Sequence, residues 1–353
     1  MTTTCHPPIA PEEFFSETLE RFECAARHAG LHERWYSIAG EPLRLRFAGE
    51  SLVPLMTPAM AHLAIEPRTE AALTVSFFDT ESTGTAMVRP RWGPDSYGAK
   101  GEITGYNTDR VRTTYQPGDD ILRMIDRQRR QAVYWAPTFR LVQWWEVSFP
   151  LRTILHWWCI GQPLQTIHAG AVGTANGGGV LIAGKSGSGK STATLACLLD
   201  GLLYAGDDYV LARCAPVPWV YSLYSTAKVE PGNLELLPEL RPFLHNAGHL
   251  DKQKAMIFLQ RSHPESLTSG LPLKAIFLPR VTGLRESSLR PAAPAQALFA
   301  LAPTTLNHLP GAGDEAFRKM SSLVKQVPCY HLEAGTDLPQ IPRLVREYLD
   351  GQV

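Results

Sequence analysis

Cysteine pairs, net charge and long apolar runs are all missing from this chain. Its six cysteines, at positions 5, 24, 159, 197, 214 and 329, are scattered with no C-x-x-C spacing. That pattern argues against a disulfide framework or a zinc site and for a reducing compartment, so the chain is expected to be cytoplasmic. Lys+Arg and Asp+Glu are both 34, giving a formal net charge of zero. No general affinity for nucleic acid or an anionic membrane is expected, which leaves only local basic patches. Residues 1–8 lack a basic region followed by an apolar run, so no secretion signal is expected there. No stretch reaches the roughly 18 apolar residues needed to span a bilayer. There is no internal repeat and no low-complexity tail.

What is present is the composition of an ordinary folded protein. The 353 residues are 44% hydrophobic and 19% charged, enough for one large or two medium domains. The first half reads as an α+β domain, 1–150, serving substrate recognition or packing. Residues 11–30 carry Phe14, Phe15, Leu19, Phe22, Ala25 and Ala26 at helical spacing, between Pro11 and Gly30. Leu43, Leu45 and Phe47 alternate with Arg44 and Arg46, which predicts a half-buried strand. Residues 73–78 and 110–115 read as strands, 52–63 as a helix and 89–105 as a loop. Asp119 and Asp120 are placed as the cap of a helix containing Ile121, Leu122 and Ile125, ending in solvated Arg127, Arg129 and Arg130. Residues 131–135 form a further strand. The tryptophan-rich stretch 143–160 is read as one packing helix, because aromatic rings dominate core burial.

The chemistry sits in the second half, 151–353. Gly184-Lys185-Ser186-Gly187-Ser188-Gly189-Lys190-Ser191-Thr192 fits G-x-x-x-x-G-K-[ST], a phosphate-binding loop. Residues 179–183 before it read as a buried strand, and 193–203 after it as a helix, which is the context the motif requires. Glycines let backbone N–H groups turn inward around phosphate oxygens, and the helix N-terminus adds positive potential. Lys190 would reach the β- and γ-phosphates and Ser191 would ligate Mg²⁺. Upstream, 166–173 reads as one strand containing His168, joined to the loop strand by a turn at Asn176-Gly177-Gly178-Gly179, as in a hairpin.

Residues 202–211 read as a strand interrupted by Asp207 and Asp208, 17 and 18 residues beyond Lys190. Successive strand side chains face opposite ways, so the two acids take different jobs unless the backbone turns there. Two adjacent charges in an apolar strand are costly to bury unpaired, and a metal or a catalytic task offsets that cost. An exposed strand end is the bland alternative. Further along, 220–232 contributes another Lys and Glu. Residues 234–243, 294–301, 315–327 and 341–349 are predicted helices; 255–259, 273–278 and 329–332 are predicted strands. The N-K-x-D motif of GTPases and the signature helix of ABC-type ATPases are not found.

Taken together, His168-Ala169-Gly170, the loop 184–191 and Ala205-Gly206-Asp207-Asp208-Tyr209-Val210 resemble the C-terminal kinase domain of HPr kinase/phosphorylase and its relatives. Some of those relatives act as serine kinases in peptide-maturation pathways. The resemblance covers about 160–335. It implies an α/β fold: a phosphate-loop domain akin to phosphoenolpyruvate carboxykinase, with a mixed sheet and antiparallel strands beside the loop. It also implies that Lys190 binds phosphate, Ser191 binds Mg²⁺ and Asp208 accepts the proton of a substrate hydroxyl. Asp207 would support metal or geometry, His168 would orient or assist the acid, and Glu230 would be a second magnesium-linked carboxylate. The family's later catalytic arginine has no clear counterpart, and Arg261 and Arg280 stand as substitutes. Residues 1–150 do not look like the N-terminal domain of HPr kinase. HPr as substrate, phosphorolysis and hexameric assembly are therefore not carried over.

The expectation is an ATP- and Mg²⁺-dependent kinase that phosphorylates a hydroxyl, foremost of Ser, on a peptide, protein or small molecule. No nucleic-acid or membrane partner is expected, and homo-oligomerisation is left open. A nucleotide-hydrolysing regulatory ATPase and a nucleotide-binding module without turnover are the alternatives.

Overall fold

Pro11 opens and Gly30 closes the first helix, α1 (Pro11–Ala29), with Glu12 and Glu13 in its first turn and Arg27 and His28 in its last. That charge order complements the helix dipole. The computed structural model describes residues 9–116, 118, 120–311 and 313–352. Residues 1–8 and the predicted cap Asp119 lie outside this set. The chain divides into two units. Unit 1 holds the described residues of Met1–Thr57, Ala64–Trp158 and His308–Gly311; unit 2 holds those of Pro58–Leu63, Cys159–Asn307 and Ala312–Val353. The main changeover falls at 158/159, where the sequence places it at 150/151.

Unit 1 is built on a mixed six-stranded sheet. Its strands are β1 (Leu31–Ile38), β2 (Glu41–Ala48), β3 (Leu73–Asp79), β4 (Val111–Gln116), β5 (Ile121–Asp126) and β6 (Gln131–Ala136), in the order β1-β2-β3-β6-β5-β4. Helix α1 lays Phe14, Phe15, Phe22 and Ala25 into a core with Phe78, Leu122, Met124 and Val133. Short helices α2 (Val53–Met56), α3 (Thr80–Thr83), α4 (Trp144–Ser148) and α5 (Arg152–Trp158) complete it.

Several expectations fail here, each for a local reason. The helix predicted from Ile121 is β5, hydrogen-bonded to β4 and β6. All six of its residues are buried, and a strand covered on both faces shows no alternation to distinguish it from a helix. Arg127 to Arg130 form the turn between β5 and β6, with Arg130 at φ 55. The single helix over 143–160 is instead α4 and α5, broken where Leu151 takes φ 61. The helix over 52–63 is reduced to α2 and a 3-10 turn, Pro58–Leu63. Prolines at 54 and 58 withhold the N–H groups a continuous helix needs.

In unit 2 a larger mixed sheet carries β7 (Leu164–Ile167), β8 (Gly170–Thr174), β9 (Gly178–Ile182), β10 (Leu203–Gly206), β11 (Val210–Arg213), β12 (Trp219–Ser222) and β15 (Gly270–Val281). A separate antiparallel pair, β13 (Thr226–Val229) and β14 (Ala255–Phe258), stands beside it. Strands β16 (Ser288–Pro291) and β17 (Cys329–Ala334) extend the sheet from β15. Helices are α6 (Lys190–Leu199), α7 (Pro294–His308), α8 (Asp314–Gln326) and α9 (Gln340–Leu349). The helix predicted over 234–243 is two 3-10 turns, Pro231–Glu235 and Pro238–Phe243, again divided by prolines.

The most consequential departure concerns the two long strands read over 166–173 and 202–211. Each is split. β11 pairs antiparallel with β7, and β10 pairs antiparallel with β8. One register runs through the break: Val210 faces Ile167 on one side of it and Gly206 faces Ala171 on the other. Asp207, Asp208 and Tyr209 therefore lie opposite Gly170, Ala169 and His168, where the ladder opens. A continuous ladder would have sent the two carboxylates to opposite faces of a buried sheet. The opening lets both turn to the same neighbours.

Candidate functional site

β9 runs buried into the loop 183–189, and α6 begins at Lys190. β8 forms a hairpin with β9, Gly170 facing Ile182, so the strand next to the loop strand on that side is antiparallel. On the other side β15 is parallel to β9. Within the loop, Gly187 and Gly189 hold φ of 77 and 95, a region that L side chains avoid. A Cβ on Gly184 would meet Ser188 Oγ at 2.6 Å, so the backbone packs against the loop's own side chain there. Lys185, Ser186 and Gly187 are exposed, whereas Lys190 is only 6% exposed. Its Nζ donates to the Lys185 carbonyl at 3.2 Å, across the loop.

Helix α6 is held on two sides. Ala193 and Cys197 join the core under β8, β9 and α9, while Leu195 and Leu198 join a second cluster with Ala227 and Val229 of β13 and Ile257 of β14. A helix buried around most of its circumference is a rigid mount, since each large apolar side chain adds about 1.5–3 kcal/mol on burial. Lys190 and Ser191 therefore start from a fixed point.

Against that point lies the opened ladder. Asp207 is 1% exposed. Its Oδ2 accepts the backbone N–H of Lys228 at 3.2 Å, and its Oδ1 has no well-formed hydrogen bond among the described residues. Burial raises its pKa and the neighbouring Asp208 charge adds to this. Lys228 N–H, the Ser191 hydroxyl and Lys190 pull the other way, leaving the carboxyl pushed up to about 7. Asp208 goes in the opposite direction. Burial would raise it too, but the Lys228 ammonium and His168 outweigh that and hold it well below the usual carboxylate range. His168 Nε2 sits 3.2 Å from Asp208 Oδ1, and Lys228 Nζ sits 2.8 Å from Oδ2. The His168 ring rests against Tyr209, with centroids 5.1 Å apart. Burial lowers the pKa of Lys190, opposed by the fields of Asp208 and Asp207. Two adjacent acids in one opening are thus shifted in opposite directions, Asp207 by burial and Asp208 by its cationic partners.

Of the residues singled out in the sequence, the structure gathers Lys190, Ser191, Asp207, Asp208 and His168. It leaves Glu230 out: that carboxylate pairs with Lys254 at 2.7 Å and is 56% exposed. Arg280 is 69% exposed and bonds Glu333 at 3.0 Å, and Arg261 lies over the Phe258 ring at 5.6 Å. The cation that pairs directly with Asp208 is Lys228, which the sequence reading counted as another lysine within 220–232 without giving it a role. Its only sequence signal is a lysine inside the short apolar run Thr226-Ala227-Lys228-Val229. Among the described residues no group of three or more His, Cys, Asp or Glu is gathered to hold a metal. Likewise no helix among them is long and apolar enough to cross a membrane. A cavity of about 680 Å³ in unit 1, lined by Arg21, Arg27, Arg89 and Arg91 among others, includes none of the site residues.

Comparison with known proteins adds a structural likeness. No protein-family model and no curated protein matches the chain. Among solved structures it is similar to that of the Hpr(Ser) kinase/phosphatase from Coxiella burnetii. Identity is 12% and the TM-score 0.32, over 53% of this chain and 98% of that one. At that score the likeness decides nothing about function.

Proposed function

We propose that unit 2 is an ATP-dependent kinase that moves the γ-phosphoryl group to a hydroxyl, foremost of Ser, on a peptide, protein or small molecule. The observation that carries this reading is the pair of unlike acids beside a buried phosphate-loop lysine. Asp208 is held ionised between His168 and Lys228, and Asp207 is buried next to Ser191. The loop fits a triphosphate: glycines at left-handed φ and a close backbone turn at Gly184 form a cradle that side chains would fill.

The residues present also suit Mg²⁺. Asp207 Oδ1 is a buried carboxylate oxygen without a well-formed partner, and the Ser191 hydroxyl faces the same carboxyl. Hard oxygen donors of this kind, few in number, are what Mg²⁺ takes alongside phosphate oxygens and water. Ser191 and Asp207 would hold it, and when bound it neutralises charge on the β- and γ-phosphates. Glu230, occupied by Lys254, is outside this set.

Phosphoryl transfer asks the protein for positioning and charge compensation above all. Lys190 supplies positive charge at the phosphates. Asp208 accepts the acceptor's proton, and His168 keeps its carboxylate turned toward the opening. Residues 1–150 keep the reading of substrate recognition or packing.

Labelled ATP incubated with candidate peptides, followed by mass spectrometry of the phosphorylated product, tests the reading. Asp208→Asn should lower transfer by about 10²–10⁴-fold, the range for removal of a general base. ATP affinity of that variant should stay close to wild type. Retained transfer in Asp208→Asn overturns the assignment, and free phosphate released at full rate without acceptor points to hydrolysis instead.

A further inference from the structure

Beyond keeping Asp208 charged, Lys228 takes no step in the mechanism above, yet it touches both acids. It sits on β13, facing Met256 of β14. Its strand neighbours Ala227 and Val229 are 0% and 1% exposed and pack with Leu195 and Leu198 of α6. β13 is therefore fixed to the same helix that begins with Lys190. The Lys228 side chain is itself only 13% exposed. An ammonium this buried persists only when paired with good geometry. Its pairing is with Asp208 Oδ2 at 2.8 Å, while its backbone N–H donates to Asp207 Oδ2 at 3.2 Å.

We propose that Lys228 is a positioning residue for phosphoryl transfer, holding Asp208 by its side chain and Asp207 by its backbone so that both acids keep one placement relative to Lys190. The inference rests on the reading of Asp208 as proton acceptor. With His168 on Oδ1 and Lys228 on Oδ2, the carboxylate is gripped at both oxygens, which opposes rotation about its Cβ–Cγ bond. Its free lone pairs then face in fixed directions, as a base aligned with an acceptor hydroxyl requires. Without Lys228, His168 alone among the described residues would hold the Asp208 carboxylate, at the longer of the two distances.

Lys228→Met removes the ammonium but keeps the backbone N–H and most of the stem. Transfer kcat should fall about 10²-fold while KM for ATP stays within about threefold, the signature of an interaction lost only on the way to the transition state. Lys228→Arg, which restores a cation, should recover roughly tenfold or more of that loss. In the double variant with Asp208→Asn, Lys228→Met should add almost nothing, because its effect passes through Asp208. A Lys228→Met enzyme with kcat within about twofold of wild type overturns the proposal. So does a parallel loss of kcat and ATP affinity that Lys228→Arg does not mend, which marks a purely structural ion pair. An undiminished further loss on top of Asp208→Asn overturns it as well. Absence of any transfer by the wild-type chain instead overturns the kinase reading beneath it, and the two failures are told apart by the wild-type control.

Discussion

The phosphate loop and the opened ladder face the same chemistry with opposite materials. The loop offers backbone N–H groups from one short stretch, with Lys185, Ser186 and Gly187 exposed. The ladder opening offers side chains from three separate segments, His168, Asp207 with Asp208, and Lys228, all buried or nearly so. Backbone donors need no charge compensation and tolerate solvent. Buried carboxylates need partners, and here each one is held by a strand of another part of the chain. A glycine-lined loop can thus be built locally, whereas the surroundings of a buried acid are a product of packing.

Lys190→Met should separate the two regions most sharply. It removes the one charged side chain the loop contributes from its buried end, so ATP binding measured by calorimetry should weaken by about 10²-fold or more. The Asp208 contacts, read from a structure of the variant, should stay in place. Asp208→Asn is the mirror image, with binding kept and transfer lost; if both variants lose binding equally, the division between the regions is wrong.

Acid should affect the ladder side through a different residue. His62 Nε2 lies 2.6 Å from Ser222 Oγ, and Ser222 pairs with Val210 just beyond the acids. Burial lowers the His62 pKa to about 4 from its usual 6.5. The unfolded chain then binds this proton more readily than the folded one. Stability is unaffected above about pH 6.5 and falls as pH drops from 6.5 toward 4, by up to roughly 2–3 kcal/mol. Urea unfolding at pH 7.5 and pH 4.5 should show this loss in wild type and a smaller one in His62→Gln. Equal losses would remove His62 from the account.

The smallest effect is expected within the loop. Gly187 has φ 77 and nothing within 4 Å of a Cβ placed there, so Gly187→Ala meets backbone strain alone. It should lower stability by about 1–2 kcal/mol. Gly184→Ala instead sets a Cβ 2.6 Å from Ser188 Oγ, so it should deform the loop and weaken ATP binding more than Gly187→Ala does.

Much of this was legible because its causes are local. Pro11, Gly30 and the spacing of Phe14, Phe15 and Phe22 announce α1, and the glycines and Lys190 announce the loop from residues within ten of one another. β5 was not legible, because a strand buried on both faces shares its apolar run with a helix. The surroundings of Glu230 were also not legible. Two residues past Lys228 it would share that residue's side of a longer strand, but β13 stops at Val229 and Pro231 starts a 3-10 turn. The chain turns there, and the carboxylate reaches Lys254 instead.

By itself the sequence determined that a strand, a glycine loop and a helix would follow one another, and that two acids would come within one helix and one strand. Short-range backbone preference is sufficient for both. Only the tertiary structure decided what those acids are. The break shared by β7–β8 and β10–β11 turns both carboxylates one way, and β13 brings Lys228 between them. Charge state in a buried site depends on partners that are distant along the chain, and pairing between strands is what brings them near.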